Sequence, residues 1–211
     1  MVTVMNNSIA STLRLAWASL RVLLVLTVVC GVVYPLVVTG IAQGLFRDKA
    51  NGSEVTVDGK VVGSELIGQS WNIKGTKTPD PKWFQGRPSH SNYDPMATGS
   101  SQLGASDPKL VANVKAAKKQ VAEFNGVPES EVPKDAATGS ASAIDPGISP
   151  AYAEIQVKRV AEHNRLTVTQ VEKLVKDNTS GRTAGFLGEP AVNVLKLNIA
   201  VKEAVRELAT K

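Results

Sequence analysis

Histidine and cysteine are nearly absent from this sequence: His90 and His163 are the only two histidines and Cys30 is the one thiol. A zinc site at ordinary ligand spacing therefore lacks its donors. With so few candidates, neither a Cys/His pair nor a Ser/His/Asp set is favoured by spacing. A single thiol also rules out an intramolecular disulfide, which is expected of a cytosolic domain and allowed in an exported one. The phosphate-cradling Gly-x-x-x-x-Gly-Lys-Ser/Thr loop is missing, and nothing resembles a dinucleotide fingerprint after a strand. Lys and Arg outnumber Asp and Glu by 24 to 19, but the charges are interspersed and form no basic stripe with interleaved aromatics. Nucleic acid is thus not an expected partner. Ser106-Asp107-Pro108-Lys109 has the Ser-x-x-Lys form of an acylating enzyme. Its Lys-Thr-Gly companion is missing, because Lys77-Thr78 is followed by Pro79, so the motif reads as a helix cap.

What the chain does have is one long uncharged apolar run, Val22 to Phe46, without Asp, Glu, Lys, Arg or His. It exceeds the ~20 residues that cross a bilayer as a helix. Gly40-Ile41-Ala42 before Gln43 resembles a signal-processing site, but the run is too long for an h-region of ~7–15 residues. A retained membrane helix is the reading. No second run of that length follows, and one helix cannot enclose a transport path unaided. Pro35 removes a backbone donor that lipid cannot replace, so a kink is expected there, and Gly31 and Gly40 offer close approach to a neighbouring helix. Arg14 and Arg21 before the run nearly balance Arg47 and Lys49 after it, which leaves the orientation open.

The chain divides into an N-terminal segment (1–21), a transmembrane helix (22–46) and one soluble domain (47–211). The domain is α+β, with a short-stranded first part and about four helices. Val55 to Val62 alternate around Asp58-Gly59 as a β-hairpin with a type I′ turn. Leu66 to Gln69 and Trp83 to Gly86 read as further short strands, with Trp71, Trp83, Phe84 and Tyr93 as the local core. Helices are expected from Pro108, capped by Asp107 and closed by Gly126, and from Pro150, capped by Ser149, to about Glu162. A third starts at a Thr167/Gln170 capping box with a Leu166–Val171 staple. Residues 127–148 read as a linker and 178–189 as a loop. From Pro190 a strand pattern competes with a helix pattern, and length and composition favour a helix to about Leu208.

Turn-forming residues are dense in Gly86 to Gly104 and again in Asp145 to Pro150, and their exposed amides, hydroxyls and guanidinium suit a binding surface. Ser140, Ser142 and Gln156 are the residues whose side chains would contact a nucleotide base or phosphate.

Three segments together resemble one family. Gly86-Arg87-Pro88-Ser89 with Tyr93-Asp94-Pro95 and Ser101-Gln102-Leu103-Gly104 resembles its first hallmark. Ser142 to Pro150, followed by Gln156-Val157-Lys158-Arg159-Val160-Ala161, resembles its second. Leu187-Gly188-Glu189-Pro190, Val192 to Leu195 and Leu197-Asn198 resemble its third. That family is the C subunit of the bacterial Kdp-type potassium-transporting ATPase, and the likeness covers nearly the whole chain. It implies a non-catalytic accessory subunit of an ATP-driven potassium importer, needed for assembly and held in the bacterial inner membrane. The partners it implies are a P-type ATPase catalytic subunit, a potassium-channel-like subunit and membrane lipid. In that family the subunit is described as a catalytic chaperone that raises the pump subunit's affinity for ATP, and the resemblance places ATP at Ser140, Ser142 and Gln156. It also places the soluble domain outside the membrane, where ATP is absent. A structural or gating role at the potassium entrance is the alternative expectation, as is an unrelated anchored envelope protein.

Overall fold

The computed structural model describes residues 9–210. It forms two compact units, one up to Ser53 and one from Glu54 onward. In the first unit, α1 (Ile9–Val28), a π-helical turn (Val29–Val33) and α2 (Tyr34–Leu45) form one continuous helix, followed by the short α3 (Arg47–Ala50). The helix is long and apolar enough to cross a membrane. It begins at Ile9, well before the apolar run, so the part of segment 1–21 that is described is helical; residues 1–8 lie outside the described residues.

Where a kink is expected at Pro35, the structure has a π turn immediately before it. Pro35 has no N–H to give the preceding turn, and the Tyr34 N–H donates instead to the Val29 carbonyl, five residues back. A Cβ on Gly31, Gly40 or Gly44 would meet nothing within 4 Å, so each is open to a neighbouring helix.

The second unit opens with the expected hairpin, β1 (Glu54–Val57) and β2 (Lys60–Ser64), paired antiparallel with Val57 opposite Lys60. Asp58 at φ 49° and Gly59 at φ 74° make its type I′ turn. The four main helices also stand where expected. They are α4 (Pro108–Asn125), α6 (Pro150–Asn164), α7 (Val168–Asp177) and α8 (Val194–Ala209), with the four-residue α5 (Lys134–Ala137) between the first two. Asp107, Ser149 and Asn193 accept the capping N–H of Lys109, Tyr152 and Lys196, and Thr167 with Gln170 forms the full capping box. Gly126 closes α4 at φ 65°.

Three readings need correction. Residues 66–69 and 83–86 form no strand. Segment 127–148 contains a 3₁₀ turn (Glu129–Glu131), α5 and the start of a second sheet. That sheet joins β3 (Gly147–Ile148), β5 (Ala191–Asn193) and β4 (Thr179–Ser180) antiparallel in the order β3-β5-β4, and so uses part of the expected loop 178–189 as well. After Pro190 the helix reading holds: Leu195, Leu197, Ile199 and Val201, which alternate like a strand, lie in α8, and the short strand β5 stands before it, running into α8 through the Asn193 cap. The core lies among α6, α7, α8 and β5, with Val157, Val160, Val171, Val192, Leu197 and Val201 nearly fully buried around Phe84.

Candidate functional site

Segment 65–93 has almost no ladder of its own, and its backbone is held by side chains from the helices. Two adjacent residues show the device most clearly. Asn198 of α8 accepts from the Phe84 N–H through Oδ1 (2.8 Å) and donates from Nδ2 to the Phe84 carbonyl (2.9 Å). Gln156 of α6 does the same to Gln85, accepting its N–H (2.7 Å) and donating to its carbonyl (3.1 Å). Each amide mimics a strand neighbour, and both are completely buried. This is why a strand reading at 83–86 fails: the β-like bonding is there, but its partners are side chains.

Arg159, one helical turn after Gln156, extends the clamp. Its Nε donates to Asn125 Oδ1 (2.9 Å), Nη1 to the carbonyls of Pro81 and Trp83, and Nη2 to Gln156 Oε1 (2.8 Å). The guanidinium also lies over the Phe124 ring, 4.4 Å from its centre. Burial pulls its pKa down to about 10, still far above neutrality, so a full charge is held by carbonyl dipoles, amides and a ring face. Asn164 and Asn193 add bonds to the carbonyls of Lys82 and Glu65.

The three hallmark segments interlock. Arg87 donates to Asp145 (3.1 Å) and to the carbonyls of Thr138 and Gly139. Ser89 donates to the Ala143 carbonyl and accepts the Tyr93 N–H, while the Tyr93 hydroxyl donates to the Arg87 carbonyl (2.7 Å). The third segment joins through β5 beside β3 and through the Val194 N–H, which donates to Pro146. Two glycines are dictated by this interlock. A Cβ on Gly86 would collide with the Tyr93 hydroxyl, and one on Gly68 with the Asp145 carbonyl.

Ser140 and Ser142 are neighbours, with hydroxyls 3.2 Å apart. Ser140 is buried and accepts the Ala143 N–H (2.9 Å), holding Ala143 at φ 63°, and Ser142 accepts from Ile144. Gln156 is not with them. Its amide is spent on Gln85, Tyr152 and Arg159 and presents no atom to a ligand. Ser140 borders a cavity of about 400 Å³ between α4 and the 88–101 loop. Leu110, Val114, Ala117 and Ala137 give it an apolar floor, and His90, Ser100, Ser101 and Asn113 line it as polar groups, with no Lys or Arg. Among the described residues no group of His, Cys, Asp and Glu could hold a metal ion. The Ser-x-x-Lys segment is a cap, with Asp107 accepting the Lys109 N–H at 2.7 Å.

The clamp residues Arg159 and Asn198 belong to the hallmark segments, but sequence spacing does not reveal their role, because their partners lie 76 and 114 residues away.

Tyr93 and Tyr152 supply a pH handle. Burial is the main cause that raises both phenols well above the ordinary value of about 10. Their protonated form is therefore favoured in the fold, and the stability they contribute is complete below pH ~10 and lost as pH rises further. Alkaline denaturation should steepen there by up to roughly 1.4 kcal/mol per pH unit for each tyrosine. Arg159, whose pKa is pulled down, opposes the loss over the same range, so urea midpoints measured between pH 9 and 11 should simply fall less steeply in Tyr93→Phe than in wild type; an unchanged slope would refute the assignment.

A family model described as "KdpC: K+-transporting ATPase, c chain" matches residues 16–203. A potassium-transporting ATPase KdpC subunit from Streptomyces avermitilis is 54% identical over 95% of this chain and 99% of its own length. The corresponding subunit of Streptomyces coelicolor is 52% identical over 95% and 97%. That of Caldanaerobacter subterraneus subsp. tengcongensis is 46% identical over 90% and 95%.

Proposed function

Because the chain belongs to the KdpC family, the c chains of K+-transporting ATPases, we propose that it is a non-catalytic accessory subunit anchored by its single apolar helix. In this reading the folded unit stands on the extracytoplasmic face of the inner membrane. There it acts as a rigid part of the assembled importer, beside the channel-like subunit and the P-type pump subunit, and takes no direct part in ATP binding. The observation that carries the reading is Gln156. The residue best suited by its position in the second hallmark to meet a nucleotide is instead a fully buried clamp on Gln85. The hallmarks, seen as a set, hold one another in place.

The second reading is the catalytic chaperone, in which the subunit raises the pump's affinity for ATP. The cavity beside Ser140 favours it by size, since about 400 Å³ accommodates a small molecule. Its chemistry is poor for a triphosphate, which calls for Arg, Lys or a metal ion. The assembled ATPase carrying Ser140→Ala and Ser142→Ala should keep its half-saturating ATP concentration within about twofold of wild type. A rise of tenfold or more would establish the chaperone reading in its place.

A further inference from the structure

Among the described residues, two buried side-chain N–H groups have no hydrogen-bond partner, those of Trp71 Nε1 and Arg87 Nε. Buried donors are almost always met, so a pair of unmet ones calls for an acceptor. Trp71 also borders a cavity between the β1–β2 hairpin and α8, and Arg87 another beside β3. The cavity that both residues line is a cleft of about 270 Å³ between segment 69–93 and α4. Lys77 joins them there, no Asp or Glu lines the cleft, and Pro79, Val121 and Phe124 give it an apolar wall. The charge of Arg87 is already matched by Asp145 at 3.1 Å, which lies outside the lining. Lys77 is exposed and enters none of the ion pairs among the described residues. The cleft thus combines one uncompensated positive charge, two unmet N–H donors and an apolar wall.

We infer that this cleft binds a small monocarboxylate. The carboxylate oxygens accept from the Trp71 indole and the Arg87 guanidinium beside the Lys77 ammonium, and the alkyl body lies on Val121 and Phe124. One negative charge and two acceptor oxygens match one free cation and two free N–H groups. Inorganic phosphate is the poorer occupant, because it carries more charge and has no apolar body to set against the wall. A bound carboxylate ties segment 69–93 to α4, so its occupancy stiffens the part of the fold that holds the first hallmark. The site goes beyond the accessory-subunit reading and does not depend on it.

The test uses the full-length, detergent-solubilised chain, with butyrate as the probe and butyramide, its neutral counterpart, as the control. Butyrate at ten times its half-saturating concentration should raise the melting temperature by about 3–6 °C, and butyramide should leave it unchanged. The indole N–H resonance of Trp71, identified by its loss in Trp71→Phe, should move saturably over the same titration. Lys77→Gln lies on an exposed stretch and should melt as wild type does without butyrate. It should raise the half-saturating butyrate concentration by about threefold or more. No saturable shift with butyrate would overturn the proposal and leave the two donors to water. Equal shifts with butyramide, tighter binding of inorganic phosphate, or an unchanged half-saturation in Lys77→Gln would overturn it as well. None of these results involves the other subunits, so failure here leaves the accessory-subunit reading standing.

Discussion

Gln156→Ala is expected to destabilise the folded unit by about 3–5 kcal/mol, because it orphans several buried groups at once, each worth roughly 1–3 kcal/mol. The Gln85 N–H and carbonyl lose their partners, and one guanidinium N–H of Arg159 loses its acceptor in the same dry space. Water cannot readily repair the loss, since Gln156 is completely buried. For a unit of this size the melting temperature should fall by about 6–20 °C, at roughly 2–4 °C per kcal/mol. Fluorescence of Trp71 and Trp83, which meet at a tilt with ring centres 5.7 Å apart, should report the transition in the full-length, detergent-solubilised chain. Gln156→Glu should cost less than Gln156→Ala. It keeps the shape and the acceptor for Gln85 and Arg159 while losing the donors to Gln85 and Tyr152. An unchanged melting temperature in Gln156→Ala, accompanied by a weaker response of the complex to ATP, would contradict the scaffold role and favour a ligand contact.

The sequence was most legible where structure is local. The Asp58-Gly59 turn, the Asp107-Pro108 and Ser149-Pro150 helix starts and the Thr167/Gln170 capping box are each decided by neighbours a few residues apart, and each stands as expected. The apolar helix is equally local, because bilayer thickness sets its length requirement. Segments 66–69 and 83–86 failed for the opposite reason. Their apolar and amide residues suit extended backbone, but the partners come from Asn198 and Gln156, far along the chain, and no periodicity announces a side-chain amide acting as a strand. The second sheet escaped notice because its strands are two or three residues long and are brought together only by folding. Of the three candidate nucleotide contacts, the structure brings Ser140 and Ser142 side by side and leaves Gln156 elsewhere. Gln156 was drawn to the same role by the resemblance, and nothing in sequence spacing distinguishes a buried amide from an exposed one.

The measurement that tests the account most directly is the sidedness of the folded unit, since ATP is confined to one side of the membrane. Ser130 is exposed on the 3₁₀ turn Glu129–Glu131, far in sequence from the clamp residues, and Cys30 lies in the apolar helix. Ser130→Cys in a Cys30→Ser background therefore places one thiol on the surface of the folded unit without disturbing its core. Treated with a membrane-impermeant maleimide, intact spheroplasts carrying this chain in the assembled ATPase should be labelled to near completion, as far as permeabilised ones. That result puts the folded unit outside, where its role is structural and Ser140, Ser142 and Gln156 meet no nucleotide. Labelling that appears only after permeabilisation would put the unit beside the hydrolytic domains and contradict the account.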